Sequence, residues 1–129
     1  MLRMTKSELA RMFGNNPEKP KKYGNHKCEW DGIEFDSKRE RDRYIFLESE
    51  MRAGRISDLQ RQVRYQLIPA QRIDGKLVER EICYVADFVY RNANGETVVE
   101  DAKGYRGNPV WIIKRKLMLW VHGIRVLEV

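Results

Sequence analysis

The sequence has little cysteine and no long apolar run. Cys28 and Cys83 are too few to form the disulfide framework of a small secreted protein, which favours a reducing compartment. No segment is apolar over the length needed to span a membrane, and the N-terminus lacks the apolar core of a signal peptide. His26 and Cys28 have no second ligand pair at a spacing that suits zinc. We therefore expect a cytoplasmic protein with no structural zinc site.

The charge balance favours a polyanionic partner. The 129 residues include 25 Lys and Arg against 19 Asp and Glu, a net charge of +6. Nucleic acid is the commonest such partner, because each phosphate that a cation neutralises releases condensed counterions. Charge alone equally fits a basic protein without a polyanionic partner. The length fits one domain with a sizeable core.

Two apolar strands at residues 82–90 and 96–103 organise the chain. A turn containing Asn94-Gly95 joins them, and carboxylates interrupt both. Burying an unpaired carboxylate costs several kcal/mol or forces it to take a proton. Asp87 therefore needs a compensating cation, and the candidates are Lys103 and a metal ion.

The length of the turn decides which side chains meet. A two-residue turn would place Asp87 and Asp101 on opposite faces of the hairpin. A three-residue loop ending at Gly95, in the left-handed conformation, would set the two Asp residues opposite each other. Because side chains alternate along a strand, Lys103 would then share their face and Glu100 would lie on the other. We predict the three-residue loop.

A helix is predicted from about residue 36 to residue 53, with Gly54 as its stop. Ser37 and Glu40 fit a capping box, which by itself explains Glu40. However, Glu40 also begins a stripe that continues at helical spacing through Tyr44, Leu47 and Met51. That stripe should face the core, so Glu40 is expected to point towards the sheet.

The remaining elements are predicted from turn and capping signals. Residues 30–35 suggest a short hairpin or an extended entry, 56–69 a half-buried strand, 74–75 a turn leading through 77–81 into the central hairpin, and 124–129 a last strand. A second helix begins at Pro109 and ends at Gly123. A first small helix is expected at residues 5–14, followed by a basic arm.

The pattern formed by Asp87 and, fourteen positions later, Asp101-Ala102-Lys103 resembles the metal-binding hairpin of the PD-(D/E)XK nuclease superfamily. Asp36-Ser37-Lys38 and Asp74-Gly75-Lys76 match the short motif too, but they suit a helix start and a turn. The resemblance implies an α/β (α+β) fold with a restriction-endonuclease-like αβββαβ core, in which helices flank a mixed central sheet.

A wider set of residues is similar to a family of small phage- and prophage-encoded proteins that carries the designation of a domain of unknown function. The set includes Lys22-Tyr23-Gly24-Asn25, Phe35-Asp36-Ser37-Lys38, Tyr84-Val85-Ala86-Asp87-Phe88 and Val99-Glu100-Asp101-Ala102-Lys103-Gly104. This resemblance assigns residues 22–129 to a nuclease-like domain and leaves residues 1–21 as an N-terminal helix and basic arm. It also implies the host cytoplasm as the location of a phage-encoded chain.

The resemblance implies a metal-dependent DNA endonuclease. Asp87, Asp101 and the carbonyl of Ala102 would hold Mg²⁺ or Mn²⁺, which prefer oxygen ligands. Lys103 would orient or deprotonate the attacking water, and Glu40 would bind a second ion or a metal-bound water. Without metal, the clustered carboxylates should repel one another and raise the pKa of at least one.

The candidate DNA contacts are basic residues near this hairpin and in the N-terminal arm: Lys114, Arg115, Lys116, Arg106, Lys21 and Lys22. A basic helical stretch is equally well explained as a solvated face. Three alternatives to a general endonuclease remain. These are a Holliday-junction resolvase acting as a homodimer, a non-catalytic nucleic-acid-binding module, and a protein in which the two Asp residues and Lys103 form a buried ion-pair network.

Overall fold

The computed structural model describes residues 27–102 and 107–129. Several predictions therefore lie outside the described residues: the N-terminal helix, the basic arm with Lys21 and Lys22, and the loop residues Lys103 and Arg106.

The described residues form two helices and eight strands. In chain order these are β1 (Cys28–Trp30), β2 (Ile33–Phe35), α1 (Lys38–Arg52), β3 (Ser57–Ile68), β4 (Gln71–Ile73), β5 (Lys76–Glu79), β6 (Ile82–Arg91), β7 (Thr97–Asp101), α2 (Pro109–His122) and β8 (Leu127–Glu128).

The central sheet has the strand order β3-β6-β7-β8. The β3/β6 and β6/β7 pairs are antiparallel, and β7/β8 is parallel. With the short hairpins β1–β2 and β4–β5 set aside, the elements of the described segments follow the expected αβββαβ order. The prediction of an α+β fold with a mixed central sheet and two helices is confirmed.

Ser37, Pro109 and Gly123 mark helix ends as predicted from the sequence, whereas Asn108 is a cap that was not predicted. Ser37 caps α1, and its Oγ accepts a hydrogen bond of 3.1 Å from the backbone N–H of Glu40. Asn108 caps α2 and Pro109 occupies its first turn. Gly123 ends α2 with a φ of 68°, a left-handed conformation that glycine adopts at no steric cost.

The central hairpin has the predicted three-residue loop. Gly95 has a φ of 79°, and the N–H of Asn92 donates a hydrogen bond of 2.9 Å to the carbonyl of Glu96. The strands then pair Arg91 with Thr97 and, three steps further, Phe88 with Glu100. The next position in this register sets Asp87 opposite Asp101. The turn length therefore brings the two Asp residues to facing positions, as expected.

Strand β6 lies at the centre of the core and is buried on both faces from Ala86 to Tyr90. Two apolar clusters cover it. The first joins β6 to α1 through Leu47, Phe88, Tyr90 and Ala102. The second joins β6 to α2 and includes Val89, Val99, Trp111 and Met118. Because β6 is covered on both sides, its one acid, Asp87, is carried into the interior.

Two local expectations were wrong. Met51, in the last turn of α1, is 38% exposed because the stripe makes its deepest contact at Leu47 and runs past the core by Met51. The last strand is limited to Leu127–Glu128. The predicted turn at Asp74 and Gly75 is confirmed: both residues have positive φ, and residues 76–79 pair with β4 before the chain enters β6.

Within residues 27–102 and 107–129, no helix is long and apolar enough to cross a membrane.

Candidate active site

Gln62 brings the carboxylates of Glu40 and Asp87 together. Its Nε2 donates a hydrogen bond of 3.1 Å to Oε1 of Glu40 and a longer one of 3.4 Å to Oδ1 of Asp87. Both acids are buried, Glu40 to 5% exposure and Asp87 to 6%. Gln62 itself is exposed. The amide thus links an acid of α1 to an acid of β6 at a point open to solvent.

The backbone at Gln62 departs from regular strand geometry. Its φ is 54°, in the left-handed region that non-glycine residues rarely occupy. The preceding residue, Arg61, also reaches Glu40, with its Nη2 3.6 Å from Oε1. Consecutive residues of a regular strand point to opposite faces. The left-handed residue therefore lets two neighbours on β3 approach one carboxylate.

Asp87 and Asp101 are each oriented by an uncharged donor. The backbone N–H of Ala102 donates a hydrogen bond of 2.8 Å to Oδ2 of Asp87. The hydroxyl of Tyr84 donates one of 2.8 Å to Oδ2 of Asp101. Such donors orient a carboxylate without cancelling its charge. These two hydrogen bonds fix the orientation of the facing carboxylates.

The pKa of Glu40 is raised, as expected for one of the clustered carboxyl groups. Burial raises the pKa of Glu40, the negative charge of Asp87 raises it further, and Arg61 and Gln62 oppose this in part. The prediction that clustering would raise the pKa of at least one carboxyl is confirmed at Glu40. Burial, reinforced by Asp101 and Asp87, also raises the pKa of Tyr84, so its hydroxyl remains a donor.

Glu100 has a different environment from its neighbour Asp101. Its two carboxylate oxygens accept hydrogen bonds of 2.8 and 2.7 Å from Nε and Nη2 of Arg43, on α1. The hydroxyl of Tyr90 also donates to it. Glu100 is fully buried. As predicted, Glu100 lies apart from the Asp pair, and its charge is matched by a bidentate ion pair.

Arg61 lies beside Glu40 and stacks on two aromatic rings. Its guanidinium carbon is 4.3 Å from the ring centroid of Phe35 and 5.6 Å from that of Tyr44. The two rings contact each other, with centroids 5.3 Å apart. These contacts fix the plane of the guanidinium next to the carboxylate.

The donor set fits a hard divalent cation in its chemistry. Glu40, Asp87 and Asp101 supply oxygens only, which suits Mg²⁺ or Mn²⁺. Within the described segments, no three His, Cys, Asp or Glu side chains are grouped closely enough to hold a metal by themselves. Mg²⁺ is commonly bound by one or two carboxylates together with waters and substrate phosphates. A two-carboxylate site is consistent with that mode.

The basic candidates are only partly described. Lys114 and Arg115 are half-buried on α2 and Lys116 is exposed. The same helix carries Trp111, whose ring lies 5.6 Å from the ring of Tyr84, the donor to Asp101. Helix α2 therefore packs beside the Asp101 side of the hairpin.

Four residues of the site were not predicted from sequence: Arg43, Arg61, Gln62 and Tyr84. Gln62 occupies a polar position of an alternating strand, where contact with nucleic acid and exposure to water are both expected, and Arg61 precedes that alternation. The register that sets β3 beside β6 could have placed Gln62 near Asp87. The left-handed backbone has no sequence signal, because glutamine does not favour it.

Comparison with known proteins gives one family. The family described as "Protein of unknown function (DUF1064)" matches residues 20–123. No curated protein and no solved structure matches the chain. The match includes Glu40, Asp87, Asp101 and both helices. The chain therefore belongs to the DUF1064 family.

Proposed function

We propose that this protein is a metal-dependent DNA endonuclease with a PD-(D/E)XK type of site. The observation that carries the proposal is the β6/β7 register, which when continued one step past Phe88 and Glu100 sets Asp87 opposite Asp101, with Glu40 linked to Asp87 through Gln62. Two acids at facing positions repel each other when both are ionised, and a bound cation would offset that repulsion.

Asp87, Asp101 and the carbonyl of Ala102 would hold Mg²⁺ or Mn²⁺. When bound, the ion supplies the Lewis acidity and charge neutralisation that phosphodiester hydrolysis needs. Ala102 fixes the carboxylate of Asp87 through its N–H, and Tyr84 fixes that of Asp101. Such outer hydrogen bonds orient metal ligands and tune their affinity.

Glu40 and Lys103 complete the proposed machinery. The raised pKa of Glu40 suits a group that can accept or release a proton at a water beside Asp87. Lys103, outside the described residues, would orient the attacking water and balance the charge that develops on the phosphate. The basic side chains Lys114, Arg115 and Lys116, on the helix beside the hairpin, would contact the DNA backbone.

The test is a cleavage assay on labelled linear duplex, single-stranded, flap and four-way-junction DNA, with Mg²⁺, Mn²⁺ or EDTA. We expect cleavage that requires the metal and is lost in Asp87→Asn. Asp74→Asn is the matched control, because Asp74 lies in the exposed β4–β5 turn and has a left-handed backbone that Asn tolerates. Preference for the four-way junction would identify a resolvase. DNA binding by the wild type without cleavage would overturn the proposal in favour of a non-catalytic module.

A further inference from the structure

Arg61 has hydrogen-bonding capacity that its surroundings do not use. Its side chain is 24% exposed. It donates no hydrogen bond to any residue in the described part of the chain, and its Nε is the one buried side-chain nitrogen or oxygen there that has no partner. The nearest acid oxygen, Oε1 of Glu40, is 3.6 Å from Nη2, beyond a normal hydrogen bond. Arg61 therefore forms an ion pair with Glu40 but makes no hydrogen bond with it.

Arg43 provides a contrast, because its guanidinium is engaged in hydrogen bonds to a carboxylate. Its Nε and Nη2 make two short hydrogen bonds with the buried carboxylate of Glu100. Arg61 instead presents its face to the rings of Phe35 and Tyr44. Stacking holds the plane of a guanidinium, and the exposed part of the Arg61 side chain can then meet an anion from solvent.

The position of Arg61 indicates which anion. Arg61 precedes Gln62, whose amide contacts both Glu40 and Asp87. An anion bound by Arg61 would thus lie next to the carboxylates proposed to bind the metal. A phosphate oxygen matches the fork of an arginine and can accept two of its N–H groups. We propose that Arg61 binds a backbone phosphate of DNA beside the reacting bond, an inference that rests on the proposed function.

The salt dependence of DNA binding separates this role from a packing role. Each phosphate contact adds about 0.9 to the magnitude of the slope of log Kobs against log salt for duplex DNA. The full-length Asp87→Asn protein, with EDTA and a short duplex, permits binding to be measured without cleavage. In that background we expect Arg61→Gln to weaken binding and to make the slope shallower by about 0.9.

Two further variants sharpen the test. Arg61→Lys keeps the charge, so its slope should equal that of the parent while its affinity falls through loss of the fork. Arg61→Met keeps a long side chain that can pack on the two rings, so it tests the same loss of charge if Arg61→Gln fails to fold. It should make the slope shallower by the same amount as expected for Arg61→Gln. Arg52→Gln is the control, because Arg52 pairs with Glu48 and lies about 18 Å along α1 from Glu40.

The outcomes are distinct. A parental slope in both Arg61→Gln and Arg61→Met, whatever their affinity, would show that Arg61 only packs against Phe35 and Tyr44, and would overturn the inference while leaving the nuclease proposal intact. An equal loss of slope in Arg52→Gln would also overturn it, because the effect would then be one of general charge. Absence of DNA binding by the parent protein would reject the proposed function, and the phosphate role with it.

Discussion

The backbone N–H of Ala102 donates a hydrogen bond of 2.8 Å to Oδ2 of Asp87, so the end of β7 holds the acid of β6 in place. Ala102 directly follows Asp101, whose own carboxylate is held by Tyr84. The facing Asp pair is therefore fixed by the hairpin itself.

Asp87→Asn should abolish stabilisation by divalent metal while preserving the fold. The amide oxygen of Asn can still accept the hydrogen bond from Ala102, but the variant lacks the negative charge that binds the ion. Mg²⁺ at ten times its Kd should raise the free energy of unfolding of the wild type by about 1.4 kcal/mol and leave that of the variant unchanged. Urea titrations with Mg²⁺ or EDTA measure both. Equal stabilisation of the two proteins would argue against Asp87 as a ligand.

Gln62→Ala should weaken metal binding without unfolding the protein. Gln62 is exposed, but its amide is the link between Glu40 and Asp87, and loss of such a supporting hydrogen bond typically lowers metal affinity by about 10- to 100-fold. Calorimetric titration with Mn²⁺ provides the affinity. Gln60→Ala is the control, since Gln60 is exposed on the same strand and its amide contacts Asp58 instead. Equal Mn²⁺ affinities of the two variants would show that Gln62 does not support metal binding.

Arg43→Met should destabilise the fold strongly. Glu100 would be left as an unpaired charge in the core, which costs about 3 to 5 kcal/mol when a buried ion pair is broken. The exposed Arg52–Glu48 pair on the same helix is the reference, and Arg52→Met should cost about 1 kcal/mol or less. Chemical denaturation compares the two. A similar small loss in both would mean that Glu100 is accommodated without Arg43.

Ionisation of Tyr90 should lower the stability of the fold at high pH. Burial, with the hydrogen bond to Glu100, raises the pKa of Tyr90 from an ordinary 10 to about 12. The folded state therefore binds this proton more tightly than the unfolded state. The corresponding stability is fully present below pH 10 and is lost as the pH rises through about 12.

The check is the difference in unfolding free energy between the wild type and Tyr90→Phe, measured from pH 9 to pH 12. The wild type should lose stability faster than Tyr90→Phe across the upper part of this range, because phenylalanine has no proton to release. Parallel curves would show that Tyr90 titrates alike in the folded and unfolded states.

The sequence contains enough information to predict the fold and the arrangement of the acids. Gly95 and the length of its loop determine the register that sets Asp87 opposite Asp101, and the helical stripe through Tyr44 and Leu47 turns Glu40 inward. These features depend on local geometry and periodicity, which a single chain displays directly. The same stripe led to the wrong prediction that Met51 faces the core, because periodicity does not show where a helix runs past the core.

The side chains that surround the acids could not be predicted from the sequence. Arg61 and Gln62 approach one carboxylate only because Gln62 adopts a left-handed backbone inside a strand, a choice that tertiary contacts impose. Likewise, nothing local marks Arg43 as the partner of Glu100, 57 residues later in the chain. Contacts of this kind depend on how α1 and β3 pack on the hairpin.

The most direct test of the proposed nuclease is single-turnover cleavage of its preferred DNA in Mg²⁺ by the wild type, Asp87→Asn and Asp101→Asn. With DNA binding retained, each variant should cleave at least about 100-fold more slowly, because losing the metal forfeits several kcal/mol of transition-state stabilisation and each 1.4 kcal/mol is tenfold in rate. Cleavage by either variant at the wild-type rate would contradict the assignment of the Asp87–Asp101 pair as the catalytic metal site.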